Sequence, residues 1–269
     1  MKMLRALKHH WPEYLIEAWG LGLFMVAAGV VGTLVFYPQS PAYQAIADPF
    51  LQRVVMGLGM GLTAMIIMYS PWGKRSGAHI NPAVTLTFYR LKKIAAWDAF
   101  FYVVFQFIGG LLGVVLVAFL LQTPFTQAPV NYVVTVPGKQ GAIVACIAEY
   151  FIAVLMMSMV LFTSNQPKLE RFTPFFAGCL IVSYVIFESP LSGFGMNPAR
   201  TVASALPSGI WTAIWLYFLA PIAGMLTAAE LYLRMIGPRK IFCAKLYHDP
   251  LYRCIHCGHL IHWHRPHLR

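Results

Sequence analysis

Ser76-Gly77-Ala78-His79-Ile80-Asn81-Pro82-Ala83-Val84-Thr85 and Ser192-Gly193-Phe194-Gly195-Met196-Asn197-Pro198-Ala199-Arg200-Thr201 decide how this chain folds. Ser, Gly, Asn, Pro, Ala and Thr recur in the same order and spacing, so the chain contains one element twice. In each copy an Asn-Pro pair after a flexible Ser-Gly reads as a helix start. The Asn side chain caps orphan amides, and Pro, which lacks an N–H, fits the first helical position. Two such starts in the two halves of an apolar chain point to a pore built from half-helices.

The rest of the chain supplies the membrane. Of its 269 residues 59% are hydrophobic and 11% charged, and the mean hydropathy is +0.65, outside the balance of a soluble globular protein. Apolar windows at 14–37, 50–70, 96–122, 140–163, 173–188 and 210–235 are near the length that crosses a bilayer, the fifth being shortest. The first follows a basic N-terminus and has no small-residue cleavage site, so it reads as a span that stays. The net charge of +11 is not gathered into a patch or an aromatic-interleaved stripe, which argues against a nucleic-acid partner.

The positive residues mark topology instead. With the N-terminus in the cytoplasm, Lys74, Arg75, Arg90, Lys92, Lys93, Lys168, Arg171, Arg239, Lys240, Lys245, Arg253, Arg265 and Arg269 share one side. Arg53 and Lys139 are left on the other, and Arg200 within the protein. That bias puts both termini in the cytoplasm of a multi-pass protein of the cell membrane. The two motifs then lie on opposite faces, and segments 82–90 and 198–206 are too short to cross. The predicted fold is an all-α membrane protein with six transmembrane helices, two re-entrant half-helices and an inverted 3+3 repeat. Its parts are a cytoplasmic N-terminus (1–13), a first repeat (14–122), an extracytoplasmic linker (123–139), a second repeat (140–236) and a cytoplasmic tail (237–269).

Several residue types sharpen this reading. Glu17 and Glu149 lie in the first span of each half, where a carboxylate is costly unless hydrogen-bonded. Each is expected to accept bonds from the re-entrant loop of its half, the rival role being a proton relay. Gly57 with Gly61, and Gly109 with Gly113, have the spacing that lets membrane helices pack closely. Asn81 and Asn197 are expected to cap the half-helices with their oxygens and aim their NH2 groups into the lumen. The positive dipole ends meeting there repel cations, and a water fixed by both amides cannot relay a proton. Arg200, a permanent charge after the second motif, suits a constriction; its counterpart Val84 is neutral, which places the filter on the extracytoplasmic side. The alternative for Arg200 is an interfacial side chain reaching water.

With these residues quoted, the chain resembles the aquaporin and glycerol-facilitator family over about residues 12–236. The resemblance implies a right-handed six-helix bundle, a homotetramer with one pore per chain, and pore motifs at Asn81, Pro82, Ala83, Asn197, Pro198 and Ala199. It also implies a selectivity filter at Gly61, Val185, Phe194 and Arg200. Met60 is the alternative to Gly61, because the loop Pro71-Trp72-Gly73-Lys74-Arg75 is one residue longer than usual. His79 resembles a pore-lining residue near the cytoplasmic vestibule. Phe194 is similar to glycerol facilitators, whereas Thr201, Ala205 and Tyr217-Phe218 before Pro221 are similar to water channels. The expected passenger is water, with glycerol, urea and ammonia as further small neutral solutes; the alternative is a glycerol-type channel with such solutes as main substrate.

The tail differs in composition. Cys243, His248, Cys254 and Cys257 have the spacing C-x4-H-x5-C-x2-C, which supplies four tetrahedral zinc ligands, and His256, His259, His262, His264 and His267 crowd beside them. Zinc here and a disordered basic tail without metal are the two readings, and the channel itself requires no cofactor. Cys146 and Cys179 read as buried apolar residues. An ion-coupled secondary transporter would also use inverted repeats, but Asp98, Glu188 and Glu230 lie near helix ends and leave little to bind an ion. An enzyme is excluded by the lack of a Ser/His or His-Glu-x-x-His constellation in the spans.

Overall fold

A computed structural model of the chain describes residues 2–258. His259, His262, His264, Arg265, His267 and Arg269 of the tail lie outside the described residues. Among the described residues six helices are long and apolar enough to span a membrane: α1 (Met3–Phe36), α2 (Pro49–Tyr69), α4 (Ala96–Leu121), α5 (Ala142–Ser164), α6 (Glu170–Ser192) and α8 (Leu216–Met235). Two short helices, α3 (Pro82–Arg90) and α7 (Pro198–Ser208), start at the two motifs. The expected six spans and two half-helices are therefore present.

The boundaries shift where local chemistry continues or stops a helix. α1 has 34 residues, roughly 51 Å of helix against a hydrocarbon core near 30 Å, so its first turns stand clear of the bilayer. Polar contacts hold them: buried Glu13 pairs with Arg75 at 3.0 Å, and buried Asp98 accepts from Tyr14 Oη at 2.6 Å. The sixth span starts at Leu216 rather than 210, because Gly209 leaves α7 in the left-handed region (φ 69°). The turn that follows carries residues 210–215.

Within each half the first and third spans pack together, α1 on α4 and α5 on α8, while α2 and α6 join the halves. The half-helices cross over: α3 rests against α8 of the second half, and α7 against α4 of the first. Neither repeat can therefore complete its own core. Glycines allow the closest approaches. A methyl at Gly109 would fall on the Ala18 backbone, and one at Gly113 on Gly22. Gly61 and Gly178 face each other across α2 and α6, each 2.7–2.9 Å from where the other's side chain would have to fit.

Because backbone rather than a movable side chain fills the space beside Gly109, Gly109→Val is expected to separate α1 from α4. Overpacking of this kind costs roughly 1–3 kcal/mol or more, and the variant should unfold at a lower temperature in detergent, with Gly59→Val, which meets only the Val31 side chain, affected less.

Candidate functional site

The segments before the half-helices are irregular in the same way. Gly77, Ala78 and Ile80 have positive φ (105°, 52° and 40°), and so do Gly193, Phe194 and Met196 (81°, 56° and 46°). For non-glycine residues such conformations cost on the order of 1 kcal/mol or more each, so something must hold them. In the first half Glu17 accepts from Ser76 Oγ (2.8 Å), His79 N (3.1 Å), Ile80 N (2.6 Å) and Gln106 Nε2 (2.8 Å). In the second, Glu149 accepts from Ser192 Oγ, Gly195 N and Met196 N, each at 2.6 Å. These charge-assisted bonds are about twice as strong as neutral ones. Both carboxylates are thus engaged by the loop of their own half.

A second matched pair was not read from the sequence. Tyr102 Oη donates to the Ser76 carbonyl at 2.8 Å, and Tyr217 Oη to the Ser192 carbonyl at 2.6 Å. The two tyrosines recur at almost the offset of the motifs, so aligning the chain on itself would have found them. Gln106 has no such counterpart, since Pro221 stands four residues after Tyr217.

The two asparagines join the halves. Asn81 Oδ1 accepts from Ala83 N at 2.9 Å, and Asn197 Oδ1 from Ala199 N and Arg200 N at 3.1 and 3.2 Å, which caps α3 and α7. Their amide nitrogens do not point only into the lumen. Asn81 Nδ2 donates to the Met196 carbonyl at 2.8 Å, and Asn197 Nδ2 to the Ile80 carbonyl at 2.7 Å. Each amide carries two hydrogens, so one crosses to the other half and the second is not used by these bonds.

Both asparagines line a cavity of about 310 Å3, room for roughly ten waters. It follows α2 from Arg53 to Met68, about 22 Å. Its wall is largely apolar, including the stripe Met56, Met60, Ala64 and Met68, one residue per helical turn; the polar exceptions are Arg53, His79, Asn81, Ser189, Asn197 and Arg200. Val185, Phe194 and Arg200 all reach it, and Val185 sits on a π-helical turn, Tyr184–Glu188. Buried Arg200 Nη1 has no hydrogen-bond partner among the described residues. Gly61 is a correction: it faces Gly178 and Val182 of α6, and Met60 takes the place on the cavity wall. The segment before the first motif forms a helical turn, Pro71–Ser76.

One end of the cavity is lined by the tail. Leu246 is part of the wall, and its N–H donates to the Gly77 carbonyl at 3.2 Å. His79 Nε2 bonds the Ala244 carbonyl; a carbonyl only accepts, so Nε2 carries the hydrogen. His256 stacks on His79 (6.0 Å, 9°) and lies 3.3 Å from the Ser76 carbonyl; burial pushes it down to about 3. Lys74 pairs with Asp249 at 3.0 Å, and Phe242 N donates to Asn165 Oδ1 at 2.7 Å. The tail up to residue 258 is thus packed on the bundle rather than a loose basic extension. Within it Cys243, His248, Cys254 and Cys257 bring four donor atoms within 4.8 Å of one another. A hydrogen bond with the Cys243 thiol lowers Cys254 to about 7. Cys146 is only half-buried, packed against Ala145, Leu216 and Tyr217, and Cys179 is exposed.

Comparison with known proteins gives a consistent picture. The sequence profile of the family described as Major intrinsic protein matches residues 4–232. The chain is 33% identical over 174 residues to the putative aquaporin NIP4-1 of Arabidopsis thaliana, covering 64% of this chain and 59% of that one. To aquaporin NIP2-3 of Zea mays it is 34% identical over 176 residues, covering 64% and 55%. The chain thus spans less than two thirds of the length of these relatives. Among solved structures, the aquaglyceroporin from Plasmodium falciparum has a TM-score of 0.70 at 20% identity, covering 86% of this chain and 98% of that one, a likeness of fold.

Glu149→Ala should leave Ser192 Oγ, Gly195 N and Met196 N buried without an acceptor. At about 1–3 kcal/mol for each orphaned group, the variant is expected to lose the second loop and unfold at a much lower temperature in detergent. Glu149→Gln, which keeps one acceptor oxygen, should fall between it and the parent chain.

Proposed function

The chain belongs to the major intrinsic protein family, and from that premise we propose that it is a passive transmembrane channel for water, admitting small uncharged solutes such as glycerol, urea or ammonia and excluding protons and ions. One observation carries the reading. Two helix N-termini meet at a mostly apolar cavity, and the polar groups that line it include fixed donors: the second hydrogens of Asn81 and Asn197 and Nη1 of Arg200, which has no partner among the described residues. A permeant oxygen accepts from these donors in sequence, and a water whose lone pairs are both taken in this way cannot receive a proton from its neighbour, which breaks the wire. The dipole ends and Arg200 repel cations. The relatives' names as aquaporins support water, and the wall of Met60, Val185 and Phe194, with one charged donor, supports room for an apolar carbon skeleton.

The reading extends to placement. The face carrying Lys74, Arg90 and the tail is the cytoplasmic one by charge bias, and the family resemblance supports a homotetramer in the cell membrane with one pore per chain. A channel of this kind has no catalytic step and requires no cofactor. Against an ion-coupled transporter, Glu17 and Glu149 are already engaged by the loops of their own halves.

Stopped-flow light scattering of vesicles holding the full chain tests this, with water, glycerol and urea gradients and a pH-sensitive dye. Leu246→Gly is included because Leu246 stands at one end of the cavity. Shrinkage faster than in protein-free vesicles, without acidification and regardless of ion gradients, is expected; acidification at a matching rate, or solute accumulation driven by a gradient, overturns the reading. Arg200→Val should raise ion and proton leak. A unit charge contributes about 4 kcal/mol at 4 Å for an effective dielectric of 20, and half of that is a factor of about thirty in rate. Unchanged selectivity would remove Arg200 from the filter.

A further inference from the structure

The channel reading leaves the tail unexplained. Residues 241–258 contain no helix or strand, yet Ile241, Cys243, Ala244, Lys245, Leu246 and Cys254 are buried. A segment this short has no apolar core of its own and needs a staple. The structure provides the makings of one. Cys243 Sγ and Cys254 Sγ are 3.3 Å apart, His248 Nε2 and Cys257 Sγ are 3.3 Å apart, and the four residues' donor atoms all lie within 4.8 Å. Around zinc, with Zn–S near 2.3 Å, tetrahedral ligands lie roughly 3.7 Å from one another, so the cluster needs only a slight adjustment to enclose the ion.

Charge balance points the same way. Lys245 is 1% exposed, and its ammonium donates to the carbonyls of Lys74 (2.8 Å) and Arg253 (3.0 Å). A buried cation held by neutral carbonyls is costly. The Arg253 carbonyl directly precedes Cys254, Cys243 stands two residues before Lys245, and Asp249, the carboxylate of this segment, is already paired with Lys74. Three thiolates exceed the charge of a zinc ion by one, and Lys245 supplies that one positive charge. A disulfide between Cys243 and Cys254 would use two of the four donors and leave Lys245 uncompensated.

We propose that Cys243, His248, Cys254 and Cys257 bind one zinc ion, and that the metal folds residues 241–258 into a plug seated on the tail end of the cavity through Ala244 and Leu246. Binding draws on the deprotonated thiols and the neutral imidazole, the protons passing to solvent. The folded plug fixes the Ala244 carbonyl on His79, the Leu246 N–H on Gly77 and the Leu246 side chain in the cavity wall. Removing the metal frees the segment, and the mouth clears. The metal site stands on its own; the plug rests on the channel reading above.

The test uses the full chain. Zinc is measured after purification without added metal, and cobalt replacement is followed by the visible bands of a tetrahedral thiolate site. Water permeability is measured in reconstituted vesicles before and after a zinc chelator, for the parent chain, Cys254→Ser/Cys257→Ser and Leu246→Ala. Expected are one zinc per chain, its loss in the double variant, and a severalfold rise in permeability on chelation. Leu246→Ala should keep zinc and show the rise without chelator, which preserves the test where the double variant fails to fold. A zinc-free parent chain, or a Cys243–Cys254 disulfide in it, overturns the metal site. Zinc present but permeability indifferent to both chelation and Leu246→Ala overturns the plug. Absence of water flux in every sample overturns the channel reading and the plug with it, while the metal site is decided by the zinc measurement alone.

Discussion

A buried carboxylate accepting hydrogen bonds from consecutive backbone N–H groups is the interaction on which the centre of this bundle depends. A membrane interior offers irregular backbone no water, and the two segments before the half-helices place Ala78, Ile80, Phe194 and Met196 in the left-handed region. Glu17 and Glu149 each collect the loop amides and a serine hydroxyl of their own half. An isolated carboxylate would be too costly at this depth, and an unsupported loop would leave its amides unpaired. Each offsets the cost of the other, and the loop is held open against the cavity.

Once both loops are fixed, the asparagines can meet. Each caps its own half-helix with oxygen and reaches the other half with nitrogen, so the element that sets the helix start also sets the register between repeats. The half-helices resting on the opposite half's third span make the same arrangement from apolar packing. Polar specificity and apolar burial therefore fix one geometry together, and the donors facing the lumen are those left over after both are satisfied.

The two halves differ beside their matched motifs. Val84 and Arg200 follow the motifs at equivalent positions, so the charge lies on one side of the asparagine pair. On the other side His79, rather than projecting free, is bonded to the Ala244 carbonyl and stacked on His256. The pore thus has a charged donor at one end and a tail-bearing end at the other, on a scaffold that is nearly two-fold.

Local chemistry in the chain determined the spans, the caps at Asn81 and Asn197 and the expense of Glu17 and Glu149, because hydrophobic length, capping and the burial of charge act over a few residues or against a uniform solvent. What only the tertiary structure decided involves partners far apart in the chain. The packing of the second span on the fifth put Met60 on the cavity wall and turned Gly61 to Gly178. The destination of each asparagine NH2 was the other half's carbonyl, and Tyr102 and Tyr217 gained meaning only beside Ser76 and Ser192. Lys245, which composition reads as one more topological charge, proved to be buried, its ammonium on the carbonyls of Lys74 and Arg253. Periodicity and charge counting cannot reach such facts, because a side chain's partner across the bundle is set by how the helices pack and not by its neighbours in sequence.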